Sequence, residues 1–152
     1  MKHSVKLRSI EIVIEAKSPT LAQFKRIKGE EFTEGLIVLW LMYLNSMLNL
    51  KKLLTGDQMD LIAANVVADY ASLKISDITY IFKKVINGEF GELYESLTVP
   101  KVMTWFKKHT EERMDVAEQM SIREHQAFAQ DDSFNYSSTK ERIWKGAKGF
   151  NS

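Results

Sequence analysis

Nine consecutive residues, Leu36-Ile37-Val38-Leu39-Trp40-Leu41-Met42-Tyr43-Leu44, contain no charge and no side-chain amide. Wound as an α-helix, such a run is apolar on every side, and a helix of that kind belongs inside a bundle rather than on its surface. It is too short to cross a bilayer, which takes about 20 apolar residues. Asn45 and Ser46 interrupt it at once. Glu30, Glu31 and Glu34 precede the run and Lys51 and Lys52 follow it, each sign at the helix end where the backbone dipole favours it. The chain is therefore expected to build its core around a central helix over about 30–50.

The flanking segments read as its sheath. Ser18-Pro19 has the form of a helix start, and Leu21, Phe24 and Ile27 share one side of a short helix that Gly29 ends. Thr55 and Gln58 have capping-box spacing. Met59, Ile62, Ala63, Val66, Val67 and Tyr70 then recur every three or four residues, with Asp60, Asn65 and Asp69 facing away. Ser76 is the next cap candidate, ahead of Ile78, Ile81, Phe82, Val85 and Ile86, and Gly88 is the terminator. Thr98 and Pro100 announce a last helix, with Val102, Met103, Trp105 and Phe106 packing near its start and a thinner stripe of Met114, Ala117 and Met120 beyond. Residues 5–16 alternate like a strand, but no other stretch alternates convincingly to pair with them, so a helix or an extended arm is favoured. The predicted fold is all-α: a compact bundle of five or six helices. It divides into a basic N-terminal arm (1–18), a helical domain (19–130) and an aromatic-basic, polar C-terminal tail (131–152).

Charge narrows the function classes. Residues 1–28 carry seven Lys/Arg against two Glu, and residues 29–97 carry five against ten Asp/Glu, although the whole chain is only +1. No strong overall field draws it to nucleic acid or to anionic lipid. The absence of cysteine removes disulfides and thiolate chemistry and fits a reducing cytoplasm. No secretory leader is expected in 1–17, where charges are scattered. His3, His109 and His125 lie far apart in no ligand motif; His109 and Glu112 could share a helix face, which reads as a solvated surface. No phosphate-cradling glycine loop and no nucleophile elbow is present. No enzyme activity, cofactor, metal or membrane insertion is expected.

Two segments remain as contact candidates. In Gly88-Glu89-Phe90-Gly91-Glu92-Leu93-Tyr94, two glycines three apart allow unusual backbone angles. The loop either tucks its aromatics into the core or presents Phe90 and Tyr94 to a partner. The C-terminal tail interleaves Phe134, Tyr136, Trp144 and Phe150 with Lys140, Arg142, Lys145 and Lys148, a mixture that suits docking on a protein groove or stacking on single-stranded nucleic acid. Four basic residues make a modest anchor for phosphate, so a protein partner is preferred. At the other end Lys2, Lys6, Arg8, Lys25, Arg26 and Lys28 could meet phosphate or an acidic partner, including the acidic middle of a second copy.

The Gly-x-Phe-Gly-x-x-Tyr element, the following helix with Trp105, and Arg113 after Glu111-Glu112 together resemble a family of small uncharacterised helical proteins of Bacteroides-type phages and mobile elements. The likeness extends over about 21–114 and includes the Thr55–Gln58 helix start. Proteins of that family are often encoded near replication genes and have no settled catalytic residues. The layout is also similar to phage helicase loaders, which join a helical domain to a C-terminal segment that engages the replicative helicase. The resemblance implies a non-ATPase adaptor in phage or mobile-element DNA replication, with a replicative helicase or a second copy as partner. A structural or assembly protein, a virion component or an oligomeric scaffold, is the competing expectation.

Overall fold

A computed structural model describes residues 9–91 and 96–148, with backbone alone for 147 and 148. Six helices occur in order: α1 (Ile10–Glu15), α2 (Leu21–Lys28), α3 (Glu30–Met47), α4 (Gly56–Asp69), α5 (Ile75–Ile86) and α6 (Val99–Lys148). Among the described residues there is no strand, only two isolated bridges, Thr20 with Lys74 and Lys52 with Ser96. The protein is an all-α bundle. The chain divides into two compact units, Met1–Met114 and Asp115–Ser152, and α6 contributes to both.

In the first unit, helix ends are set by local chemistry. Thr55 accepts from the Gln58 backbone N–H while Gln58 Oε1 accepts from that of Thr55, and α4 begins at Gly56 as its capping box predicts. The start of α2 differs from expectation. Thr20, not Ser18, is the cap, in a box with Gln23, because the Ser18 hydroxyl is engaged elsewhere, accepting from Ser76 N–H. Nor does Ser76 cap α5, since it lies inside the helix and its hydroxyl donates to Val13 O at 3.4 Å. That helix starts at Ile75 with Lys74 as its cap, two residues earlier than expected, and Asp77 Oδ2 accepts from Lys74 N–H at 2.8 Å. Gly29 ends α2 at φ 93°, a left-handed angle that favours glycine.

Residues 10–15 form a helix rather than a strand. Ile10 and Val13 of α1 are buried. Its last carbonyls, Ile14 and Ala16, accept from Lys74 Nζ at 2.6 and 2.9 Å, so a cation closes the helix end where the dipole favours one. The start of α2 is tied to the α4–α5 connection by Leu21 N–H to Leu73 O and Ala22 N–H to Ala71 O. Asn45, which breaks the apolar run in the sequence, clamps the α3–α4 connection by donating to Leu54 O and accepting from Leu54 N–H.

Helix α3 packs against α2, α4 and α5. Its buried residues are Thr33, Ile37, Leu41 and Leu44, one stripe at helical spacing. Trp40 lies flat on Phe82 of α5 with ring centroids 5.3 Å apart, and Phe82 meets Phe106 of α6 edge-on. The expectation of burial on all sides is corrected here. Phe32, Leu39, Met42, Tyr43 and Met47 stand exposed, Leu39 by 64 %. Apolarity all round shows that a helix can be covered on every face; the three packed neighbours cover one.

The second unit is helical to Lys148. The segment after Asp131, read from composition as a polar tail apart from the helical domain, continues α6. Lys, Glu, Gln and Ala sustain helical propensity on either side, along 115–130 and 140–148, whereas 131–139 contains none of the four. Every described side chain from Ser121 to Gly146 except Ser138 is exposed.

Candidate functional site

Among the described residues of the first unit, buried polar side chains converge on Asp77. Asp77, in the first turn of α5, and His109, on α6, are both fully buried. His109 Nε2 lies 2.8 Å from Asp77 Oδ1, and Arg113 Nε donates to both carboxylate oxygens at 3.1 and 3.2 Å. With the Lys74 N–H bond, one carboxylate accepts from a helix start, an imidazole and a guanidinium. The carboxylate makes the imidazole proton sit on Nε2. His109 Nδ1 is buried with no hydrogen-bond partner.

The helical period brings His109 and Arg113 together, since residues four apart share a face. His109 was expected on a solvated surface beside Glu112. Instead it turns inward, and Glu112 reaches Lys84 Nζ of α5 at 3.1 Å. Lys84 Nζ also lies 5.2 Å from the Tyr80 ring centre and 5.5 Å from that of Phe90. The phenol of Tyr80 titrates above its ordinary value, chiefly through burial, with Lys84 opposing and Glu112 and Glu89 reinforcing the shift. Burial likewise raises that of Tyr70, assisted by Asp69 and Glu111. With Asp77 and His109 sealed from solvent and Arg113 partly exposed at its edge, the cluster acts electrostatically: it locks the start of α5 to the third and fourth turns of α6. Reasoning from sequence missed it, although Asp77 at a cap position and the His109–Arg113 spacing were the available signals. Among the described residues no group of three or more His, Asp or Glu side chains is placed to hold a metal.

The expected contact residues fall into four groups. Phe90 is half-buried, packs on the core and stacks on Trp105 at 6.3 Å, as the connector reading of its loop requires. Lys25 bonds Glu30 at 2.7 Å, while Arg26 and Lys28 are exposed in the last turn of α2. Lys2, Lys6, Arg8, Tyr94 and Phe150 lie outside the described residues.

Tyr136 and Trp144 belong to the second unit and are exposed by 73 % and 64 %. Ile122, Ala129, Tyr136 and Ile143 recur every seven residues and drift only about 20° per repeat around a straight helix, so they form one continuous stripe. Trp144 borders it. A shallow apolar hollow lined by Ser137, Lys140, Glu141, Ile143 and Trp144 marks its C-terminal part. Lys140 and Lys145 supply positive charge there, Lys145 paired with Glu141 at 3.0 Å.

No family model, curated protein or solved structure matches this chain. Among the described residues, no helix is long and apolar enough to cross a membrane.

Proposed function

We propose that this chain is a non-enzymatic adaptor that works by protein–protein contact through the face of Asp115–Lys148 bearing Ile122, Tyr136, Ile143 and Trp144. The observation that carries the reading is the exposure of Ile122, Tyr136, Ile143 and Trp144 along one side of the helix, although Phe128 and Phe134 stand exposed on its other faces. Water gains nothing from them. An amphipathic helix laid in an apolar groove of another protein removes them from solvent, with anchors at the spacing seen here. Lys140 and Arg142 beside the stripe favour a groove with an acidic rim.

The resemblance of the Gly88–Tyr94 element supports a setting in phage or mobile-element DNA replication, with a replicative helicase as the partner. A pull-down of purified helicase by the wild-type chain, lost in the Tyr136→Ala/Trp144→Ala double variant, is the expected outcome. Failure of the wild type to capture it removes the helicase as partner; equal capture by the double variant removes the surface. A second reading, a structural or assembly protein, is favoured by the uncovered face of α3. Direct nucleic-acid binding predicts affinity that falls steeply with salt, and is excluded by flat binding at low salt.

A further inference from the structure

Helix α6 does not have one stability along its length. Near its start Val102, Trp105, Phe106 and His109 are buried, so this part of the helix is held by the core. Residues 115–130 extend it. Growing a helix that already exists adds one backbone bond per residue and needs no new nucleus. Ala117, Ala127 and Ala129, with Glu118, Glu124 and the glutamines between them, favour that growth.

At Asp131 the chemistry changes. Asp131-Asp132-Ser133-Phe134-Asn135-Tyr136-Ser137-Ser138-Thr139 is an unbroken run of weak helix formers. Each extends a helix less well than alanine by a factor of roughly two to three, which over the whole run compounds to the order of a thousand. The side chains of 131–137 and Thr139 are exposed, so no burial offsets the deficit. The hydroxyls add to it. Ser133 Oγ donates to Gln130 O at 2.8 Å, and Ser137 Oγ and Ser138 Oγ donate to Phe134 O and Asn135 O at 3.0 Å. Short polar side chains that bond the nearby backbone offer it an alternative to the helical ladder.

Beyond the run the sequence carries the signature of a fresh start. Ser138 and Glu141 have capping-box spacing. Lys140, Ile143 and Trp144 then share one helix face and line the apolar hollow. From Thr139 to Lys148 there are only about ten residues, fewer than the roughly 12–15 that an isolated helix needs in water. This stretch cannot stay helical by itself once the run before it opens.

We infer that α6 is a conditional helix: without a partner it is helical to about Gln130 and open beyond, and docking through Ile143 and Trp144 draws 131–148 into the helix, the second step resting on the docking surface proposed above. The ordering cost is then met at the moment of contact. Affinity is lowered in proportion to the fraction of chains already helical, which keeps the complex reversible. A chain made helical in advance binds more tightly by the same proportion.

Chymotrypsin reads the boundary, because a protease cuts only where the chain on both sides of the bond is open. Phe128, Phe134 and Tyr136 are exposed by 72 %, 71 % and 73 %, so exposure alone makes them equal targets. The full-length chain is expected to be cut at Phe134 and Tyr136 at least about tenfold faster than at Phe128. The variant Ser133→Ala/Asn135→Ala/Ser137→Ala/Ser138→Ala keeps Ile122, Tyr136, Ile143 and Trp144. It should slow cutting at Phe134 and Tyr136 by about tenfold or more and raise the far-UV helical signal. Equal cutting of the wild type at all three sites, or an unchanged rate in the alanine variant, overturns the inference. With purified helicase, the alanine variant should be captured at lower helicase concentration than the wild type, and equal capture overturns folding on contact. Capture of neither chain removes the helicase as partner, while the cleavage ratio still decides whether α6 opens beyond Gln130.

Discussion

Ile37 and Ile143 are the same side chain in the same kind of helix, yet the first is sealed from solvent and the second is 68 % exposed. The contrast holds for the two units they belong to. In Met1–Met114 each helix is held by something outside itself: α1 by Lys74, α2 by the α4–α5 connection, α5 by His109 and Arg113, α3 by Trp40 on Phe82. In Asp115–Lys148 the interactions found are local ones, such as the Glu141–Lys145 pair and the Ser133, Ser137 and Ser138 hydroxyls donating to carbonyls three residues back. Exposed pairs of that kind contribute a few tenths of a kcal/mol. Stability thus resides in the first unit, while the second is held by local contacts and leaves Ile122, Phe128, Phe134, Tyr136, Ile143 and Trp144 exposed.

The comparison breaks most sharply at Asp77. Asp77→Ala removes one carboxylate from three donors and leaves His109 and Arg113 facing a buried void. Urea unfolding should show a loss of about 3–5 kcal/mol. Asp77→Asn, which keeps an oxygen for Lys74 N–H, should lose distinctly less. A loss below about 1 kcal/mol for the alanine variant would show that the cluster is not what holds α5 to α6.

Matched truncations test the contrast next. Leu41→Ala, in the buried stripe of α3, is expected to cost about 2–5 kcal/mol through lost burial and an unfilled cavity. Ile143→Ala should stay within about 0.5 kcal/mol, as surface substitutions usually do. Equal effects would erase the distinction between the units.

A smaller effect is expected in alkali. The phenols of Tyr70 and Tyr80, both in the first unit, titrate above their ordinary value of 10.0 in the folded chain, mainly because burial disfavours the phenolate. The folded state therefore holds their protons more tightly than the unfolded state does. That contribution is complete below pH 10 and is lost as pH rises through the folded-state values. Tm should fall above pH 10, and less steeply in Tyr70→Phe and Tyr80→Phe; an identical fall in both variants would assign the loss to other groups.

Where the controlling chemistry is local, the sequence was legible. Thr55–Gln58 marked the start of α4, Gly29 the end of α2, and the stripes of α4 and α5 named their buried residues, with Tyr70 and Ile86 left partly open. What stayed hidden depends on residues far apart in the chain. Ser18 and Ser76 each look like helix caps, but the Ser18 hydroxyl accepts from Ser76 N–H across 58 positions and the Ser76 hydroxyl donates to Val13 O across 63, so neither caps its own helix. His109 could not be told from a surface histidine without knowing that Asp77 lies opposite. The apolar run of α3 announced a helix correctly, but which of its faces would be covered depends on how many neighbours the bundle provides. The C-terminal segment misled for the converse reason: its composition has little capacity to form a core, and a helix needs none to satisfy its own backbone.

Amide hydrogen exchange of the isolated full-length chain tests the division of stability most directly. Amides of α3, α4 and α5 should open only with global unfolding and share one high protection, while those of 121–146 exchange orders of magnitude faster through local fraying. Uniform high protection across both stretches, in a sample dilute enough to be free of partner and of self-association, would contradict the account.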